Sequence, residues 1–423
     1  MQNRELGGND AQDVHVFIAG SKGIPSRYGG FETFVDNLVS RKKMDKLHYY
    51  VACLSDSEKT EIYKNARCFH MKVPNVGSAK AIVYDLKAVN RFLDYIERNK
   101  LSNCILLILA CRIGPKMPGI LSRCKKLNVR VFVNPDGHEW MRGKWGALVK
   151  RYWKCSEKLM VKHAQMLVCD SVNIQKYITK EYARYCPKTC FIPYGAEIPG
   201  TDIHEAAEKY RFWLGKNGLE KGRYFLVVGR FVPENNYFTI LREFMANNTS
   251  RALVLITNHE GSRFYKKLLH KTNFEQDARI KFVGTVYDKG LLAQIRAGAY
   301  AYIHGHEVGG TNPSLLEALA VTKLNLLIDV PFNREVAQDG AMYFTKESGN
   351  FRDLIGAAED LPEELAERLQ LKAIDRIKTA YSWEKIVDSY EELFLTACAQ
   401  NGGLLKQPSS EKTAELRYTA NDG

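Results

Sequence analysis

The sequence of 423 residues lacks a long hydrophobic run. Its longest apolar segment, residues 104–111 (CILLILAC), is far shorter than the roughly 18–20 residues that a membrane-spanning helix needs. That length instead predicts a buried parallel strand. The first 13 residues (MQNRELGGNDAQD) are polar and contain no apolar signal region. We therefore expect a cytoplasmic protein.

A disulfide framework and a metal-binding motif are also lacking. The ten cysteines follow no repeating pattern, and Cys53, Cys104 and Cys169 lie inside apolar runs, as reduced and buried thiols do. Cys186 and Cys190 (CPKTC) resemble half of a zinc site, but no second pair or nearby histidine completes it. We expect neither a metal nor a cofactor.

Acidic residues are fewer than basic ones, 48 against 61, which leaves a formal net charge of +13. Such an excess indicates an anionic partner: nucleic acid, an anionic membrane surface or a phosphorylated substrate. No signature of a nucleic-acid-binding module accompanies the charge, so we expect no nucleic-acid partner.

Apolar, strand-like runs alternate with helical stretches, which favours parallel, doubly wound sheets. The pattern starts at residues 14–19 (VHVFIA) and again at 224–228 (YFLVV), after a Pro/Gly-rich stretch at 193–201. The predicted fold class is therefore α/β, with two successive Rossmann-like domains. Further predicted strands cover residues 49–54, 105–109, 129–133, 166–169, 190–192, 252–256, 280–283, 301–303 and 324–328, and predicted helices include 31–38, 81–98 and 383–397.

The loop after the first predicted strand (residues 20–32, GSKGIPSRYGGFE) contains glycines between a strand and a helix. Such glycines let backbone N–H groups approach a phosphate, and the helix N-terminus adds positive potential. Gly29 and Gly30, with the cations Lys22 and Arg27, are therefore a candidate phosphate site; a tight turn without a ligand is the alternative. The spacing matches neither the dinucleotide motif nor the ATP-binding motif.

Arg230 follows the strand at 224–228 directly, in the segment GRFVPENN. Ligands of such folds bind at this edge of the sheet, and a guanidinium suits phosphate oxygens. The alternative is a surface salt bridge.

Residues 304–319 (HGHEVGGTNPSLLEAL) predict a helix with Asn312 as its N-cap and Pro313 as its first residue. The free N–H groups at this start, next to Gly309 and Gly310, predict a second anion cradle.

Two carboxylates accompany that cradle. Glu307 precedes it and Glu317 lies about one turn inside the helix. Carboxylates beside a phosphate are unfavourable unless they face hydroxyls, which ribose and other sugars supply. His304 and His306 are too few for a metal site, and we expect His304 to be structural.

The segment NPDGHEW follows the predicted strand 129–133. Asp136, His138 and Glu139 in one loop can orient an acceptor hydroxyl or transfer a proton, and a turn stabilised by Asp136 and Gly137 is the alternative.

Residues 141–163 combine seven basic side chains and several aromatic ones with a single acid, Glu157. This composition fits a helix that docks on an anionic membrane, or equally a core helix with a solvated basic face.

In this order, the segments resemble the retaining GT-B glycosyltransferases of family 4, and within them the rhamnosyltransferase-type proteins of bacterial capsule and cell-wall polysaccharide synthesis. The resemblance is carried by HVFIAGSKGIPSRYGGFETFVDNLV, NPDGHEW with RGKW, IPYGAE, VVGRFVPENN, HGHEVGGTNPSLLEAL and FNREV, and it runs from about residue 14 to 390.

The resemblance implies two domains that face a cleft. The acceptor-binding domain is expected at residues 1–195, the nucleotide-sugar-binding domain at 196–380, a helix crossing back to the first domain at 381–398, and a mobile tail at 399–423. The implied function is transfer of L-rhamnose from dTDP-L-rhamnose to a saccharide on polyprenyl diphosphate, at the inner face of the cell membrane. A UDP-hexose donor, a GT-B-fold epimerase and a non-catalytic nucleotide-sugar-binding scaffold are the alternatives.

The resemblance also assigns roles to residues. Glu317 would bind the ribose hydroxyls and Glu307 the transferred sugar, while Arg230 would stabilise the leaving diphosphate. The expected donor-binding residues are Gly29, Gly30, Arg230, Asn235, Gly309, Gly310, Thr311, Asn312, Ser314, Leu315 and Glu317. The expected acceptor-binding residues are Tyr28, Asp136, His138, Glu139 and Trp140, of which Asp136 and His138, with Arg230 and Glu307, are the predicted catalytic groups.

The sequence departs from the family pattern at two points. Glu307 and Glu317 are ten positions apart rather than eight, so the loop that separates them is two residues longer than the family pattern has it. Asn235 stands where the broader family often has a lysine, so one positive charge is missing near Arg230; Lys22 and Arg27 are candidates to replace it.

Overall fold

The computed structural model describes residues 13–26, 29–143, 145–197 and 204–399. They form two sheets with helices around them, and the predicted α/β class with two parallel-sheet units is confirmed. Within these ranges no helix is both long and apolar enough to cross a membrane. Of the predicted tail, only Ala399 lies in the described part of the chain.

The first sheet has eight strands in the spatial order β3-β4-β2-β1-β5-β6-β7-β8. All neighbouring pairs are parallel except β3 with β4. The strands are β1 (Val14–Ala19), β2 (Leu47–Leu54), β3 (Lys59–Tyr63), β4 (Ala66–Met71), β5 (Cys104–Leu109), β6 (Arg130–Asn134), β7 (Met166–Cys169) and β8 (Thr189–Phe191). Every residue of β1 and β5 is buried because helices cover both faces of the sheet.

The second sheet has six parallel strands in the order β11-β10-β9-β12-β13-β14. They are β9 (Tyr224–Val228), β10 (Ala252–Ile256), β11 (Ile280–Phe282), β12 (Ala301–His304), β13 (Leu324–Ile328) and β14 (Met342–Phe344). Each sheet lies between two separate clusters of buried apolar side chains.

Fourteen helices connect or follow the described strands. They are α1 (Gly30–Ser40), α2 (Lys80–Asn99), α3 (Met117–Lys126), α4 (Ala147–His163), α5 (Val172–Glu181), α6 (His204–Asn217), α7 (Tyr237–Met245), α8 (Arg263–Thr272), α9 (Lys289–Ala297), α10 (Pro313–Leu319), α11 (Pro331–Ala337), α12 (Asn350–Glu359), α13 (Glu363–Ala380) and α14 (Trp383–Ala399).

The sequence patterns missed three strands: β3, β4 and β14. β3 is a polar edge strand whose first four residues are exposed, so no apolar pattern marks it. β14 has only three residues, two of them partly buried. The predicted end of β5 at Leu109 is confirmed; Ala110 takes a left-handed conformation (φ 69°), so the apolar run at 104–111 continues two residues beyond β5.

The last helix, α14, packs on the first sheet unit although it follows the second in sequence. Its Glu391 is fully buried and accepts hydrogen bonds from the backbone N–H groups of Lys43 (2.9 Å) and Met44 (3.0 Å). The ring of Tyr390 lies 4.9 Å from that of Phe34 in α1. The buried apolar side chains of α14 belong to one cluster with those of the first sheet and of helices α10 and α13.

Candidate active site

Three of the predicted loops meet where the two sheet units face each other. A Cβ atom placed on Gly30, at the start of α1, would lie 3.6 Å from Cγ of Pro313, at the start of α10. A Cβ atom placed on Gly137, just after β6, would lie 2.7 Å from the amide nitrogen of Gly310. The carboxyl ends of β1, β6 and β12 therefore converge on one cleft, which is where parallel α/β sheets bind ligands.

The helix start at Asn312 and Pro313 is confirmed. The Asn312 side chain accepts a hydrogen bond from the backbone N–H of Ser314 (2.9 Å), and its carbonyl accepts one from the N–H of Leu315 (3.0 Å). Both N–H groups are thus already bonded in this structure, and a donor phosphate that used them would replace existing bonds. The donor-binding role of Ser314 and Leu315 stays a prediction.

Glu317 is held by an arginine that the sequence patterns did not reveal. Arg296 of α9 is 4% exposed, and its Nη1 lies 2.7 Å from Oε2 of Glu317. Its Nη2 donates to the Ser314 hydroxyl (3.1 Å), which also bonds to the hydroxyl of Tyr302 (3.0 Å). Glu317, whose side chain is 42% exposed, therefore presents a fixed carboxylate at the cleft.

His304 is buried below this network, and its Nδ1 lies 3.3 Å from the Tyr302 hydroxyl. Burial, together with nearby His306 and Arg296, lowers the pKa of His304 well below its usual value. These contacts are those of the structural histidine that the sequence predicts.

Arg230 follows β9 and is exposed in the cleft. The Asn235 amide joins this loop to the next segment: its Nδ2 donates to the Arg230 carbonyl (2.6 Å) and its Oδ1 bonds to Nδ1 of His306 (2.7 Å). Burial, with Arg142 and Arg230 nearby, lowers the pKa of His306 to about 3. Asn235, which stands where the broader family often has a lysine, thus holds a neutral histidine in place.

Arg142 was counted in the basic segment from its sequence, but the structure places it at the cleft. It is 9% exposed, its Nε contacts the Glu139 carboxylate, and the next residue, Gly143, donates its N–H to Oε1 of Glu234 (2.7 Å) in the loop after β9. Its two terminal nitrogens form no hydrogen bond with another described residue. Arg142 is therefore a second cation beside His306, supplied by the first sheet unit.

Asp136 and Asp170 bring two carboxyl groups to the base of the cleft. Asp170 follows β7 directly, is 2% exposed, and accepts a hydrogen bond at its backbone carbonyl from the Thr311 hydroxyl. Burial, then the charges of Asp136 and Glu335, raises the pKa of Asp170 well above its usual value. Burial also raises the pKa of Asp136, against the opposing effect of Arg142. Asp170 escaped sequence analysis, although a polar residue directly after a buried strand is the available signal.

Glu307 forms an ion pair with Lys346, and its N–H donates to the Glu234 carbonyl (3.1 Å). Glu32, in the first turn of α1, accepts a hydrogen bond from the N–H of Lys22 (2.7 Å) and lies against Gly29. A carboxylate therefore already occupies part of the first predicted phosphate loop. Tyr28 and Arg27 lie outside the described residues.

His138 lies in a group of aromatic rings. Its ring centroid is 4.2 Å from Tyr177, 5.9 Å from Trp140 and 6.2 Å from Phe332 of the second sheet unit. Burial lowers the pKa of His138. Glu139 accepts a hydrogen bond from Nε1 of Trp145 (2.9 Å) as well as contacting Arg142. The acceptor-binding roles of His138, Glu139 and Trp140 stay predictions.

In the part of the chain that the structure describes, no three His, Cys, Asp or Glu side chains come together in a way that would hold a metal ion.

Known protein families match both halves of the chain. Residues 13–197 match a family described as "Domain of unknown function (DUF1972)", and residues 209–377 match "Glycosyl transferases group 1". No curated protein sequence matches the chain.

Solved glycosyltransferase structures resemble the whole fold. Sucrose-phosphate synthase from Thermosynechococcus elongatus is 14% identical, with a TM-score of 0.71, 92% of this chain covered and 100% of the other. The trehalose 6-phosphate synthase from Burkholderia multivorans is 11% identical, with a TM-score of 0.69 and coverage of 92% and 99%. HepE from Anabaena, solved with UDP, is 14% identical, with a TM-score of 0.64 and coverage of 90% and 99%. The chain thus has the GT-B fold, and residues 209–377 match the family of group 1 glycosyl transferases.

Proposed function

We propose that this chain transfers L-rhamnose from dTDP-L-rhamnose, with retention at the anomeric carbon, to a lipid-linked saccharide in surface-polysaccharide synthesis. The observation that carries the proposal is the meeting of the Gly29–Gly30, Asp136–Gly137 and Gly309–Pro313 loops, with Arg230 near His306, in a chain whose residues 209–377 match group 1 glycosyl transferases. A neighbouring fold solved with UDP supports a nucleotide-linked donor. The choice of rhamnose rests on the sequence resemblance.

In the proposed reaction, an acceptor hydroxyl oxygen forms a bond to the anomeric carbon while the bond from that carbon to the diphosphate oxygen breaks. The hydroxyl proton passes to an oxygen of the leaving diphosphate on the same face of the sugar. Negative charge grows on the diphosphate, and fixed cations that meet it there lower the barrier. Arg230 is the group we assign to this task, and Glu317, held by Arg296, would bind the ribose hydroxyls.

We assign Arg142 as the residue that supplies the positive charge missing at Asn235. It is buried next to the His306 and Arg230 group, whereas Lys22 is exposed and bonds through its N–H to Glu32. Because Arg142 belongs to the first sheet unit and Arg230 to the second, a diphosphate between them would be held by both domains. This arrangement would make catalysis depend on closure of the cleft.

The acceptor is proposed to approach from the first domain, residues 1–195, with the lipid part at the membrane. Leu148, in the first turn of α4, is 84% exposed, and Met141, in the short turn that precedes this helix, is 49% exposed. Arg151 is exposed one turn further along the same helix. Exposed apolar side chains next to cations are what a surface needs in order to rest on an anionic membrane. The donor-binding domain is proposed to span 196–380, and helix 381–398 to return to the first.

The test is sugar transfer, read by mass spectrometry, from dTDP-, UDP- and GDP-sugars to a glucosyl-diphospho-lipid acceptor. Wild type, Arg230→Ala, Arg142→Ala and the control Arg211→Ala are compared; Arg211 is an exposed arginine of the second unit that pairs only weakly with Glu208 (3.9 Å). We expect rhamnosyl transfer from dTDP-L-rhamnose alone, and a loss of about 10²–10³-fold in rate for Arg230→Ala. Full activity of Arg230→Ala would contradict the proposed mechanism.

The other outcomes separate the alternatives. Transfer from a UDP-hexose would agree with the proposed mechanism but would identify a different donor. Conversion of the donor alone to its epimer would identify an epimerase, and nucleotide binding without turnover would favour a scaffold.

A further inference from the structure

A second cavity lies at the opposite edge of the first sheet, where β6 and β7 begin rather than end. Its volume is about 520 Å³, and it lies between the ends of α3 and α4, the segment before β8, and the last turn of α14. The active-site cleft opens at the carboxyl ends of the strands, so the two sites are separated by the length of these strands. Ligand sites in proteins are commonly about 300–1,000 Å³.

Four cations line this cavity, and we call it the basic pocket: Lys125, Arg130, Lys162 and Lys188. No aspartate or glutamate is among its lining residues. None of the four forms an ion pair with any residue in the described ranges. Their mutual repulsion is unfavourable unless an anion binds between them.

Arg130 contacts the Cys398 sulfur (3.7 Å) and Lys162 lies over the Tyr185 ring (5.9 Å), but neither contact neutralises the charge, and a shortage of acids nearby does not explain the missing ion pairs. On the same two helices, Arg123 of α3 pairs with Asp94 (2.8 Å), and Lys154 of α4 pairs with Glu181 (2.9 Å). Acids are therefore available to cations on both helices, yet no described acid pairs with the four cations that line the pocket.

A favourable interaction with a helix end explains the positions of only two of the four cations in the basic pocket. Lys125 and Lys162 lie in the last turns of α3 and α4, where a cation interacts favourably with the exposed carbonyl groups. Arg130 begins β6 and Lys188 precedes β8, so no helix end explains them. Burial and the neighbouring Lys162 and Lys125 also lower the pKa of His163, as expected in a region of positive potential.

Neutral groups complete the lining. The side-chain oxygen of Gln165 accepts a hydrogen bond from the N–H of Val131 (2.7 Å), which leaves its NH₂ group as a donor at the pocket. Apolar atoms of Phe132, Val161 and Pro187 provide the remaining walls. Cations and amide donors on an apolar wall suit a phosphate group that carries an organic part.

We infer that the basic pocket binds a phosphate-bearing anion, separately from the donor and acceptor of the cleft. Two sources share this chemistry: the headgroup of an anionic lipid and a soluble phosphorylated metabolite. The inference does not depend on the proposed sugar transfer, because it concerns residues at the other edge of the sheet.

Cys186 provides a reporter inside the pocket. It is one of the lining residues and is exposed, and Cys155, also exposed, lies outside the lining and serves as the internal control. The rate of alkylation of each thiol by iodoacetamide is measured on the intact protein by peptide mass spectrometry. The probes are pyrophosphate, glycerol 3-phosphate, phosphatidylglycerol vesicles and phosphatidylcholine vesicles.

We expect at least one anionic probe to slow alkylation of Cys186 and not that of Cys155. A probe at ten times its dissociation constant should slow the reaction about tenfold, because only the unoccupied protein reacts. Protection by a soluble phosphate identifies a soluble ligand, and protection by phosphatidylglycerol vesicles alone identifies a lipid headgroup.

Paired variants tie the effect to the pocket. Lys162→Gln with Lys188→Gln removes two lining charges and should weaken the protecting probe about 30-fold if each cation contributes as it does at a membrane surface. Lys158→Gln with Lys126→Gln removes the same charge from α4 and α3 outside the lining and should preserve protection. The inference is overturned if no anionic probe protects Cys186, or if both pairs of variants lose protection equally. Sugar transfer, assayed in parallel, reports on the cleft alone.

Discussion

Gly137→Ala tests whether the closed arrangement of the two sheet units is the form that reacts. A Cβ atom at position 137 would lie 2.4 Å from the Cα atom of Gly309, whereas ordinary contacts begin at 3.4 Å. The Gly309 loop must therefore move away by about 1.0 Å to reach an ordinary contact. Position 137 does not require a positive φ, so alanine is compatible with the local backbone.

The nearest obstacles all belong to the other sheet unit, so separation of the two units relieves the clash without unfolding either one. A displacement of about 1 Å at a catalytic site costs about 100-fold in rate. We therefore expect kcat/KM for sugar transfer to fall about 100-fold, or about 2.7 kcal/mol in transition-state stabilisation. The temperature of unfolding should be almost unchanged.

Gly119→Ala is the matched control, because a Cβ atom there meets nothing within 4 Å. Position 119 lies in α3, where alanine is favoured over glycine by about 0.5–1 kcal/mol, so this variant should be slightly more stable and fully active. Steady-state transfer assays and thermal unfolding of both variants provide the comparison. If Gly137→Ala is as active as Gly119→Ala, the close approach of the two loops is not needed for reaction, and the reasoning is refuted.

Three further predictions concern the domain contact and buried charges. The Glu335 carboxylate accepts four hydrogen bonds at the start of α5, so Glu335→Ala should weaken the contact between the two sheet units by about 1–2 kcal/mol. The radius of gyration measured by X-ray scattering should then increase, whereas Asp339→Ala, which loses only an ion pair with Lys372, should leave it unchanged. Burial lowers the pKa of His15 to about 4, so the free energy of unfolding should decrease by about 3 kcal/mol as pH falls from 6.5 towards 4. His15→Gln should make the unfolding temperature decrease less over this pH range, and an unchanged pH profile would contradict the assignment. Burial raises the pKa of Asp170, so the free energy of unfolding falls as pH rises from the ordinary carboxyl pKa to the raised one. Asp170→Asn should therefore unfold at a higher temperature than wild type at pH 8 and show less pH dependence; a lower temperature would contradict a destabilising buried carboxylate.

Much of the architecture could be predicted because it depends on local patterns. The buried strands β5 and β9 are continuous apolar runs, and β1 is interrupted only by His15; sheets covered on both faces require such runs. The start of α10 could be predicted residue by residue, because an asparagine cap followed by proline satisfies the helix end whatever surrounds it. Polar or very short strands such as β3 and β14 could not be predicted, because pairing with a neighbouring strand stabilises them and no local apolar pattern marks them.

Within the candidate site, the sequence identified the loops but not all of their partners. Gly30, Gly137 and Gly309 were recognised because each follows or precedes a predicted strand or helix. Arg142 was assigned to a basic surface from composition, and only its burial beside the loop after β9 shows a cation at the cleft. Arg296 was not identified at all, since its ion pair with Glu317 joins residues on two separate helices.

The sequence by itself determined the class of fold, the positions of the glycine loops and the helix start at Asn312, because hydrophobic periodicity and capping act over a few residues. The tertiary structure decided which charges meet: Arg142 with the Arg230 loop, Asp136 with Asp170, and the four cations of the basic pocket. Interactions between charges depend on distance and burial, and folding brings together residues that are far apart in sequence.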